Sequence, residues 1–352
     1  MEKSAKQKDM WNIGIVGCGN ISDTHAKAVS ALPNCTLAAA CTRNRDRLEI
    51  FCRTHDTMGY RSYEKFLSHP NLDIVVICTP SGTHLDYGLK AAESGKHVIV
   101  EKPIEITVTR GLNLVEACQK NGVKLSVIYQ NRFMDSVAKM NKLLHYGEIG
   151  DVFMASASVK WFRDQQYYDQ SDWRGTFALD GGGAVINQSI HTIDLLQWML
   201  GDVESVYGYT ANASHSDIEA EDNATATIRF QNGVIAVFQA STSIVPAQER
   251  RIEFNGEKGT LLLRGDKLTV KTGVKITGSP GVSHSTGASG PLEGLGHENH
   301  LKQYQHIIRA ISENTEPVVS GRESLKSLAV VEAIYKSSKE RTPIDLDHLL
   351  PI

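Results

Sequence analysis

Short apolar runs alternate with segments of helical periodicity through the first third of the chain. The apolar runs are continuous enough to predict strands that are buried on both faces. They lie at residues 13–16, 37–41, 74–78, 98–100 and 125–128. Helices are predicted between them, at residues 25–32, 45–54, 84–94 and 108–121. This alternation predicts right-handed crossovers and therefore an α/β domain with a doubly wound parallel sheet.

The pattern changes after Asn131. One helix is predicted to end near His145, and longer stretches of two-residue alternation then predict a mostly antiparallel sheet. These stretches lie at residues 152–160, 203–210, 224–230, 234–241, 251–254 and 260–263, with Gly233 and Gly256 predicted in tight turns. Residues 278–290 are rich in Gly, Ser and Pro and predict a loop, and helices are expected near 300–313 and 324–339. We therefore predict two domains, at residues 1–128 and 129–352.

Composition narrows the class of protein. The 352 residues are 41% hydrophobic and 22% charged, as in soluble globular proteins, and the net charge of −3 argues against a nucleic-acid or anionic-membrane partner. Neither a signal peptide nor a bilayer-spanning segment is expected. All six cysteines lie in the first third without CxxC spacing. Free buried thiols in the cytoplasm explain them better than disulfides or a metal site, so no metal is predicted.

A glycine turn follows the first predicted strand. Gly17 and Gly19 come directly after it, and a helix can begin near Ser22. Glycines at this point let the backbone approach a pyrophosphate, whose charge a helix N-terminus stabilises. Ser22 replaces the third glycine of the usual pattern. The turn predicts a dinucleotide site, with an ordinary strand–helix turn as the alternative.

The residues after the second strand bear on which nicotinamide cofactor binds. An acidic residue there would bind the adenosine ribose hydroxyls, but this chain has Thr42 and Arg43, which could hold a 2′-phosphate. This favours NADP(H) over NAD(H), although an arginine can also stack on adenine without discriminating. Thr79, Pro80 and His84 follow the next strand and are predicted to line the rest of the cofactor. His84 fits equally well as a helix-start residue without a ligand.

Lys102 lies at the end of the fourth predicted strand, in the sequence Glu101-Lys102-Pro103. In a doubly wound sheet this position faces the crevice in which a dinucleotide lies. A cation there could stabilise negative charge on a substrate oxygen. The alternative is a surface lysine on a loop.

A buried helix is predicted over residues 184–198, after the run Asp180-Gly181-Gly182-Gly183. The spacing of Asn187, His191 and Asp194 would place all three on one helical face. A histidine that titrates near neutrality can take the proton of an alcohol while hydride leaves to a nicotinamide, so His191 is a candidate base. A satisfied polar network in the core is the alternative.

Arginines and aromatic residues alternate just before this helix. Arg163 lies in Lys160-Trp161-Phe162-Arg163, and Trp173 and Arg174 follow Asp172. Aromatic faces stack on sugar rings, and arginines hold carboxylates or phosphates, so Arg163, Trp173 and Arg174 are predicted to bind substrate. A surface loop pinned by its aromatic side chains explains the pattern equally well.

Together these residues resemble the family of glucose-fructose oxidoreductase, inositol 2-dehydrogenase and rhizopine-catabolism proteins (Gfo/Idh/MocA). The resemblance runs from about Trp11 to the end of the chain and is carried by several short segments. They are residues 17–22 with His25, Thr79-Pro80 with His84, Glu101-Lys102-Pro103, Asn131-Arg132-Phe133 and the segment 181–194.

The resemblance implies a Rossmann domain followed by an α+β domain whose open, mostly antiparallel sheet forms homodimer or homotetramer contacts. It implies that Lys102 and His191 are catalytic. Asn20, Ile21, Glu101, Lys102 and Gln130 complete the predicted cofactor-binding set.

The resemblance also implies an NAD(P)-dependent oxidoreductase that moves hydride between the nicotinamide and a secondary alcohol of a sugar, cyclitol or nucleotide-sugar. Inositol-dehydrogenase-like members carry aspartate where this chain has Asn187, and asparagine cannot act as a base. Proton abstraction then falls to His191 or Lys102, and Asn187 becomes a substrate hydrogen-bonder in the catalytic set. The segments around Trp173 and Asn187 look like the subgroup of UDP-N-acetylglucosaminuronate 3-dehydrogenase.

Two other functions fit the same fold. One is a dinucleotide-dependent glycosidase that oxidises C3 transiently, although no carboxylate pair with glycosidase spacing is evident. The other is a dinucleotide-binding regulator without turnover, which the presence of both Lys102 and His191 disfavours.

Overall fold

The computed structural model describes residues 8–273, 275–278 and 296–350. They form two compact units. Unit 1 contains the described residues up to Ile104, then Gly111–Gln130 and Gly296–Glu323. Unit 2 contains Glu105–Arg110, the described residues from Asn131 to Gly278, and those from Ser324 onwards. The segment 296–323, which the sequence-based boundary places in the second domain, thus lies in unit 1. Within the described ranges, no helix has both the length and the apolar character needed to cross a bilayer.

Unit 1 is built on six parallel strands in the order β3-β2-β1-β4-β5-β6. This confirms the predicted doubly wound parallel sheet. Because both faces are covered, the central strands are fully buried, as their continuous apolar runs indicate. The strands are β1 (Trp11–Val16), β2 (Cys35–Cys41), β3 (Met58–Tyr60), β4 (Ile74–Ile77), β5 (His97–Val100) and β6 (Leu125–Val127).

The helices on this sheet are α1 (Asn20–Ser30), α2 (Arg45–His55), α3 (Tyr63–Leu67), α4 (His84–Glu93), α5 (Val108–Lys120) and, much later in the chain, α9 (Glu298–Ser312). Helix α1 begins at Asn20, five residues ahead of the apolar pattern at 25–32 and two ahead of the start considered at Ser22, and Gly19 is its N-cap residue. Strand β3 and helix α3 were not predicted, since both are short and β3 buries none of its residues fully. All six cysteines are free thiols.

Unit 2 is built on a sheet of nine strands in the order β14-β13-β12-β11-β7-β10-β9-β8-β15. The pair β7 and β10 is parallel, and the other pairs of described strands are antiparallel, which confirms the predicted mostly antiparallel sheet. The strands are β7 (Val152–Lys160), β8 (Val203–Ala211), β9 (Asn223–Phe230), β10 (Ile235–Ser241), β11 (Arg251–Gly256), β12 (Gly259–Arg264), β13 (Lys267–Thr272), β14 (Lys275–Gly278) and β15 (Ile344–Asp345).

Helices cover one face of the nine-stranded sheet. They are α6 (Asp135–His145), α7 (Gln165–Asp169), α8 (Ile190–Leu200) and α10 (Gly321–Glu340), with a π-helical turn at Ala184–Gln188. The residues along β9 and β10 alternate between buried and exposed, so the other face of the sheet is open in the single chain. Exposed apolar side chains on it include Met154, Tyr209, Ile235 and Val237.

Two sequence expectations on turns have different outcomes. Gly233 has a φ of 88° and lies in the turn that connects β9 and β10, as predicted. Gly256 is instead the last residue of β11, paired with Gly259, so the turn is made by the two residues between them. Of the predicted loop 278–290, Gly278 ends strand β14 and the rest lies outside the described residues.

Candidate active site

The glycine turn of unit 1 forms a cradle at the end of β1. Gly17 adopts a φ of 94°, and its amide donates to the Cys41 carbonyl at 2.8 Å. A Cβ atom at Gly17 would lie 2.6 Å from the carbonyl oxygen of Cys78, so a side chain does not fit there. The glycine lets the β1 exit pack against the exits of β2 and β4.

Helix α1 starts at this cradle without a side-chain cap. Gly19 is its N-cap residue, and a Cβ added to Gly19 would meet open space. Asn20 and Ile21 are the first residues of the helix. Ser22, in the place of the third glycine, is fully buried, and its hydroxyl donates to the Gly19 carbonyl at 2.5 Å. The first-turn amides therefore have room to bind an anionic group such as a pyrophosphate.

The exit of β2 carries Thr42 and Arg43. Thr42 is half-buried and its hydroxyl accepts from the Asn44 amide at 3.4 Å, while Arg43 is exposed. The Asn44 side chain caps α2 by accepting from the Arg47 amide at 3.0 Å. Arg61 donates to the Arg43 carbonyl at 3.5 Å, which adds a second cation at this corner.

His84 connects two strand exits. Its ring nitrogens lie 2.9 Å from the carbonyl oxygens of Thr79 and Pro103, and the side chain is 1% exposed. Thr79 also accepts a hydrogen bond from Thr83 at 2.8 Å. This geometry favours the structural alternative for His84 over direct contact with a cofactor. Pro80 lies beside Thr79 at the start of a short 3-10 turn.

The segment Glu101-Lys102 is fixed by a buried pair. Glu101 lies 2.7 Å from His25, and its second carboxylate oxygen accepts from the Lys102 amide at 3.1 Å. The other ring nitrogen of His25 lies 2.8 Å from the Tyr304 hydroxyl, which α9 supplies. Burial alone would raise the pKa of Glu101, but the hydrogen bond and charge of His25 and the charge of Lys102 outweigh it and hold that pKa at about 2.

His300 packs edge-on against His25, with ring centroids 5.2 Å apart. Burial and then the charge of His25 lower the pKa of His300 to about 3, so this imidazole is neutral at physiological pH. Gln130, the last predicted cofactor residue, begins a 3-10 turn after β6.

In unit 2 the predicted helix 184–198 is interrupted. Residues Ala184–Gln188 form a π-helical turn, Ser189 follows, and α8 begins only at Ile190. The prediction of one continuous helix was wrong, because the apolar pattern of this segment does not distinguish a π-turn from an α-helix. The prediction that Asn187, His191 and Asp194 share one helical face assumes α-helical spacing throughout. A π-turn changes that spacing.

Asp194 belongs to the core. It is fully buried, and Arg132 donates to its two oxygens at 2.6 and 2.8 Å. Ser327 adds a third hydrogen bond at 3.0 Å, and the Arg132 guanidinium stacks 4.9 Å from the ring of Trp198. The pair fixes α8 in unit 2 from its buried side.

Asn187 and His191 are both half-buried. The Asn187 side chain donates to Asp180 at 2.5 Å and accepts from Gln188 at 3.3 Å. His191 lies in the first turn of α8. Asp180 is held in turn by the Gly175 amide at 2.9 Å, so the Asn187 amide has a fixed orientation.

The predicted substrate residues of unit 2 are linked to Asn187. Arg163 is 7% exposed and donates to Gln188 at 3.1 Å, and Gln188 also donates to the Tyr167 hydroxyl at 2.9 Å. The guanidinium of Arg174 lies 4.3 Å from the Tyr167 ring and 5.6 Å from the Trp173 ring. Hydrogen bonds and stacking thus join Arg163 and Arg174 through one tyrosine.

Several residues of these networks were not selected from the sequence as site residues. Asp180 and Gln188 lie inside the segments from which site residues were selected, and Tyr167 lies between Arg163 and Trp173, but nothing in their spacing distinguished them. Tyr304 is far along the chain from His25, and Glu221, whose carboxylate accepts from the Val185 amide at 2.8 Å, is 36 positions from Val185. No local pattern could identify either residue.

Comparison with known proteins assigns the family. A family model described as the oxidoreductase family, NAD-binding Rossmann fold, matches residues 11–129. A second, described as the C-terminal alpha/beta domain of that oxidoreductase family, matches residues 141–346. Together the two matches span most of the chain.

The WlbA dehydrogenase from Bordetella pertussis, solved in complex with NADH and UDP-GlcNAcA, is 32% identical with a TM-score of 0.86, covering 97% of this chain and 99% of that chain. Two Bacillus subtilis (strain 168) relatives differ in their named cofactor. The scyllo-inositol 2-dehydrogenase (NADP(+)) IolW is 25% identical over 98% of this chain and 99% of its own length. The scyllo-inositol 2-dehydrogenase (NAD(+)) is 26% identical over 95% of each.

Both domain matches occur in the order that the two units of the structure show. The chain therefore belongs to the Gfo/Idh/MocA oxidoreductase family and is an NAD(P)-dependent oxidoreductase of the kind that acts on CH–OH groups.

Proposed function

We propose that this enzyme oxidises a secondary alcohol on an anionic sugar, with a nucleotide-linked uronate as the first choice of substrate. The observation that supports this most directly is the chain of hydrogen bonds from Arg163 through Gln188 to Asn187. It links an arginine suited to a carboxylate or phosphate with an amide suited to a sugar hydroxyl. WlbA, which is similar over nearly the whole chain, is named with UDP-GlcNAcA, and this supports the choice.

The residues of unit 1 fit a nicotinamide dinucleotide. The uncapped N-terminus of α1 and the open space at Gly19 suit a pyrophosphate. When bound, the dinucleotide accepts the hydride from the alcohol carbon. Thr79, Pro80, Glu101 and Gln130 follow the carboxyl ends of strands, the end at which doubly wound sheets in general bind such ligands, and this supports their assignment.

His191 is proposed as the base that takes the proton of the hydroxyl group. Its half-buried position in the first turn of α8 leaves an imidazole partly accessible, and a neutral imidazole suits proton abstraction near neutral pH. Asn187 is proposed to orient the substrate by hydrogen bonding, since its amide cannot take the proton. Its contact with Asp180 fixes which way that amide points.

Lys102 is proposed to donate a hydrogen bond to the same substrate oxygen and to stabilise the negative charge that develops there. The buried pair of Glu101 with His25 fixes the backbone amide of Lys102. This rigid strand exit supports the assignment, because a catalytic cation is effective only when it is held in place beforehand.

NADP(H) is proposed as the preferred cofactor. Arg43 is exposed at the β2 exit beside Thr42, Arg61 lies against the same loop, and no carboxylate replaces them in the sequence 41–44. The family relatives include both NADP and NAD enzymes, so the preference rests on these residues alone.

We also propose a homodimer or homotetramer through the nine-stranded sheet. Its open face exposes Met154, Tyr209, Ile235 and Val237, a large apolar set for a single chain in water. Light scattering during gel filtration tests this point: a monomer at micromolar concentration would exclude it.

One screen tests the proposed activity. Nicotinamide absorbance is followed with NAD and NADP against UDP-N-acetylglucosaminuronate, UDP-N-acetylglucosamine, free uronates, myo-inositol and scyllo-inositol. We expect the highest kcat/KM with the nucleotide-linked uronate. A neutral inositol that reacts better than every uronate would overturn the substrate proposal, and release of an aglycone without net reduction would indicate the glycosidase instead.

A further inference from the structure

We propose that Glu221 is a positioning residue that holds the π-helical turn and thereby places Asn187 and His191. This deepens the proposed function and rests on it. Glu221 precedes strand β9 in unit 2, and its side chain reaches the glycine run that leads into the turn.

The Glu221 carboxylate accepts three hydrogen bonds. The Val185 amide donates to one oxygen at 2.8 Å and the Tyr335 hydroxyl donates to the same oxygen at 3.0 Å. The Gly183 amide donates to the other oxygen at 3.1 Å. The backbone carbonyl of Glu221 also accepts from the Ala184 amide at 3.0 Å. Three consecutive amides are therefore bound by a single residue.

The glycines next to these amides are required by this close approach. A Cβ atom at Gly183 would lie 1.9 Å from the Glu221 carbonyl oxygen. A Cβ atom at Gly182, whose φ is 148°, would lie 2.1 Å from the Tyr335 hydroxyl oxygen. The glycine run thus makes room for Glu221 and Tyr335.

Two of the residues whose amides Glu221 holds, Gly183 and Val185, accept backbone hydrogen bonds from the segment that carries Asn187 and leads to His191. The Gly183 carbonyl accepts from the backbone amide of Asn187 at 3.1 Å. The Val185 carbonyl accepts from the Ser189 amide at 3.2 Å, and Ser189 directly precedes α8, in which His191 lies. A shift of the Glu221 contacts would therefore move both candidate groups.

The environment of Glu221 makes its hold on the π-helical turn depend on the charge of the carboxylate. The side chain is 5% exposed, and its partners are neutral: two backbone amides and the Tyr335 hydroxyl of α10. Burial raises the pKa of Glu221 to about 7 against these hydrogen bonds. The neighbouring Asp222 is occupied elsewhere, with His215 and the amides of residues 213–215.

Two variants and one control test the proposal. Glu221→Gln keeps the shape of the side chain but presents an NH2 group to one of the amides. Tyr335→Phe removes the hydroxyl that donates to Glu221 and accepts from the Ile186 amide at 3.4 Å. Glu219→Gln is the matched control: Glu219 is an exposed carboxylate two positions away, and its bond from the Phe177 amide can be accepted by the glutamine carbonyl instead. Each protein is examined in full length by hydrogen exchange of the segment 183–191, by cofactor binding, and by the pH profiles of kcat and KM.

In Glu221→Gln the rate of hydrogen exchange in the segment 183–191 should rise about tenfold, because one buried hydrogen bond is lost. We expect kcat with the best substrate to fall and the acid limb of its pH profile to move, while the Kd for the dinucleotide stays unchanged. Tyr335→Phe should show the same changes to a smaller extent, and Glu219→Gln should match the wild type.

Unchanged exchange in both variants would overturn the proposal. So would lower thermal stability with kcat and its pH profile intact, because Glu221 would then be merely structural. A wild-type enzyme without activity on the whole substrate panel would refute the proposed function. In that case faster exchange confined to the segment 183–191 would still show that Glu221 holds the π-helical turn, which is the part of the proposal that does not depend on the reaction.

Discussion

Nε2 of His25, on the first helix, lies 2.7 Å from the Glu101 carboxylate at the end of the fifth strand. The two residues are 76 positions apart in sequence, and each lies beside a candidate ligand-binding element: the uncapped N-terminus of α1 and Lys102. This pair locks the two elements of unit 1 together.

The pair makes a prediction for acid stability. The folded-state pKa of Glu101 is about 2 against an ordinary value of 4.5, so the charged form is stabilised by folding. Its contribution, up to about 3 kcal/mol, is complete above pH 4.5 and is lost as the pH falls towards 2. Urea unfolding should therefore give a difference in free energy of unfolding between the wild type and Glu101→Gln that becomes smaller as the pH falls from 4.5 towards 2. A gap independent of pH would contradict this assignment.

Asp194 should be essential for stability but not for proton transfer. Removing its carboxylate leaves the buried Arg132 guanidinium without its ion pair, so Asp194→Ala should lower the free energy of unfolding by about 3–5 kcal/mol. Replacing both partners by leucine should recover part of this loss. Denaturant titration measures both, and an Asp194→Ala enzyme with wild-type stability would show that the pair does not hold α8.

Arg43 should set the cofactor preference. Arg43→Ala removes the cation proposed to hold the 2′-phosphate, so kcat/KM with NADPH should fall by about tenfold to a hundredfold. With NADH the change should be small. Arg45→Ala is the matched control, because Arg45 is exposed and pairs with Glu49. Equal losses with both cofactors would assign Arg43 to adenine stacking.

Arg174 should discriminate between charged and neutral substrates. Its guanidinium is held between Tyr167 and Trp173 and is proposed to bind the anionic group. Arg174→Gln should raise KM for a nucleotide-linked uronate by about tenfold or more while leaving KM for a neutral cyclitol nearly unchanged. If both substrates were affected alike, the residue would be serving to hold the loop.

The sheets and most helices could be predicted because their apolar periodicities are strong. The buried runs gave five of the six strands of unit 1, and two-residue alternation gave the central strands of unit 2. Strand β3 escaped prediction because Met58 and its neighbours at the sheet edge are not buried. The end of β11 was misplaced because Gly256 resembles a turn residue in sequence but pairs with Gly259 in the sheet.

The candidate site could be predicted only in part. Motif glycines and the charged or polar residues at strand exits identify unit 1 groups such as Gly17 and Lys102. The π-turn that carries Asn187 could not be predicted, because it depends on contacts from Glu221 and Tyr335 far along the chain. Long-range hydrogen bonds of this kind leave no periodic signal.

The most direct test of the account is a double-mutant cycle on Lys102 and His191, read as kcat with saturating cofactor and the best substrate of the screen. Lys102→Ala and His191→Ala should each lower kcat by at least about a hundredfold. If both groups act on one oxygen in one step, the double variant should be little worse than the poorer single variant. The claim that these two residues share one alcohol would be contradicted if the fold-losses in kcat of the two single variants multiplied in the double variant. It would also be contradicted by a single variant with wild-type kcat.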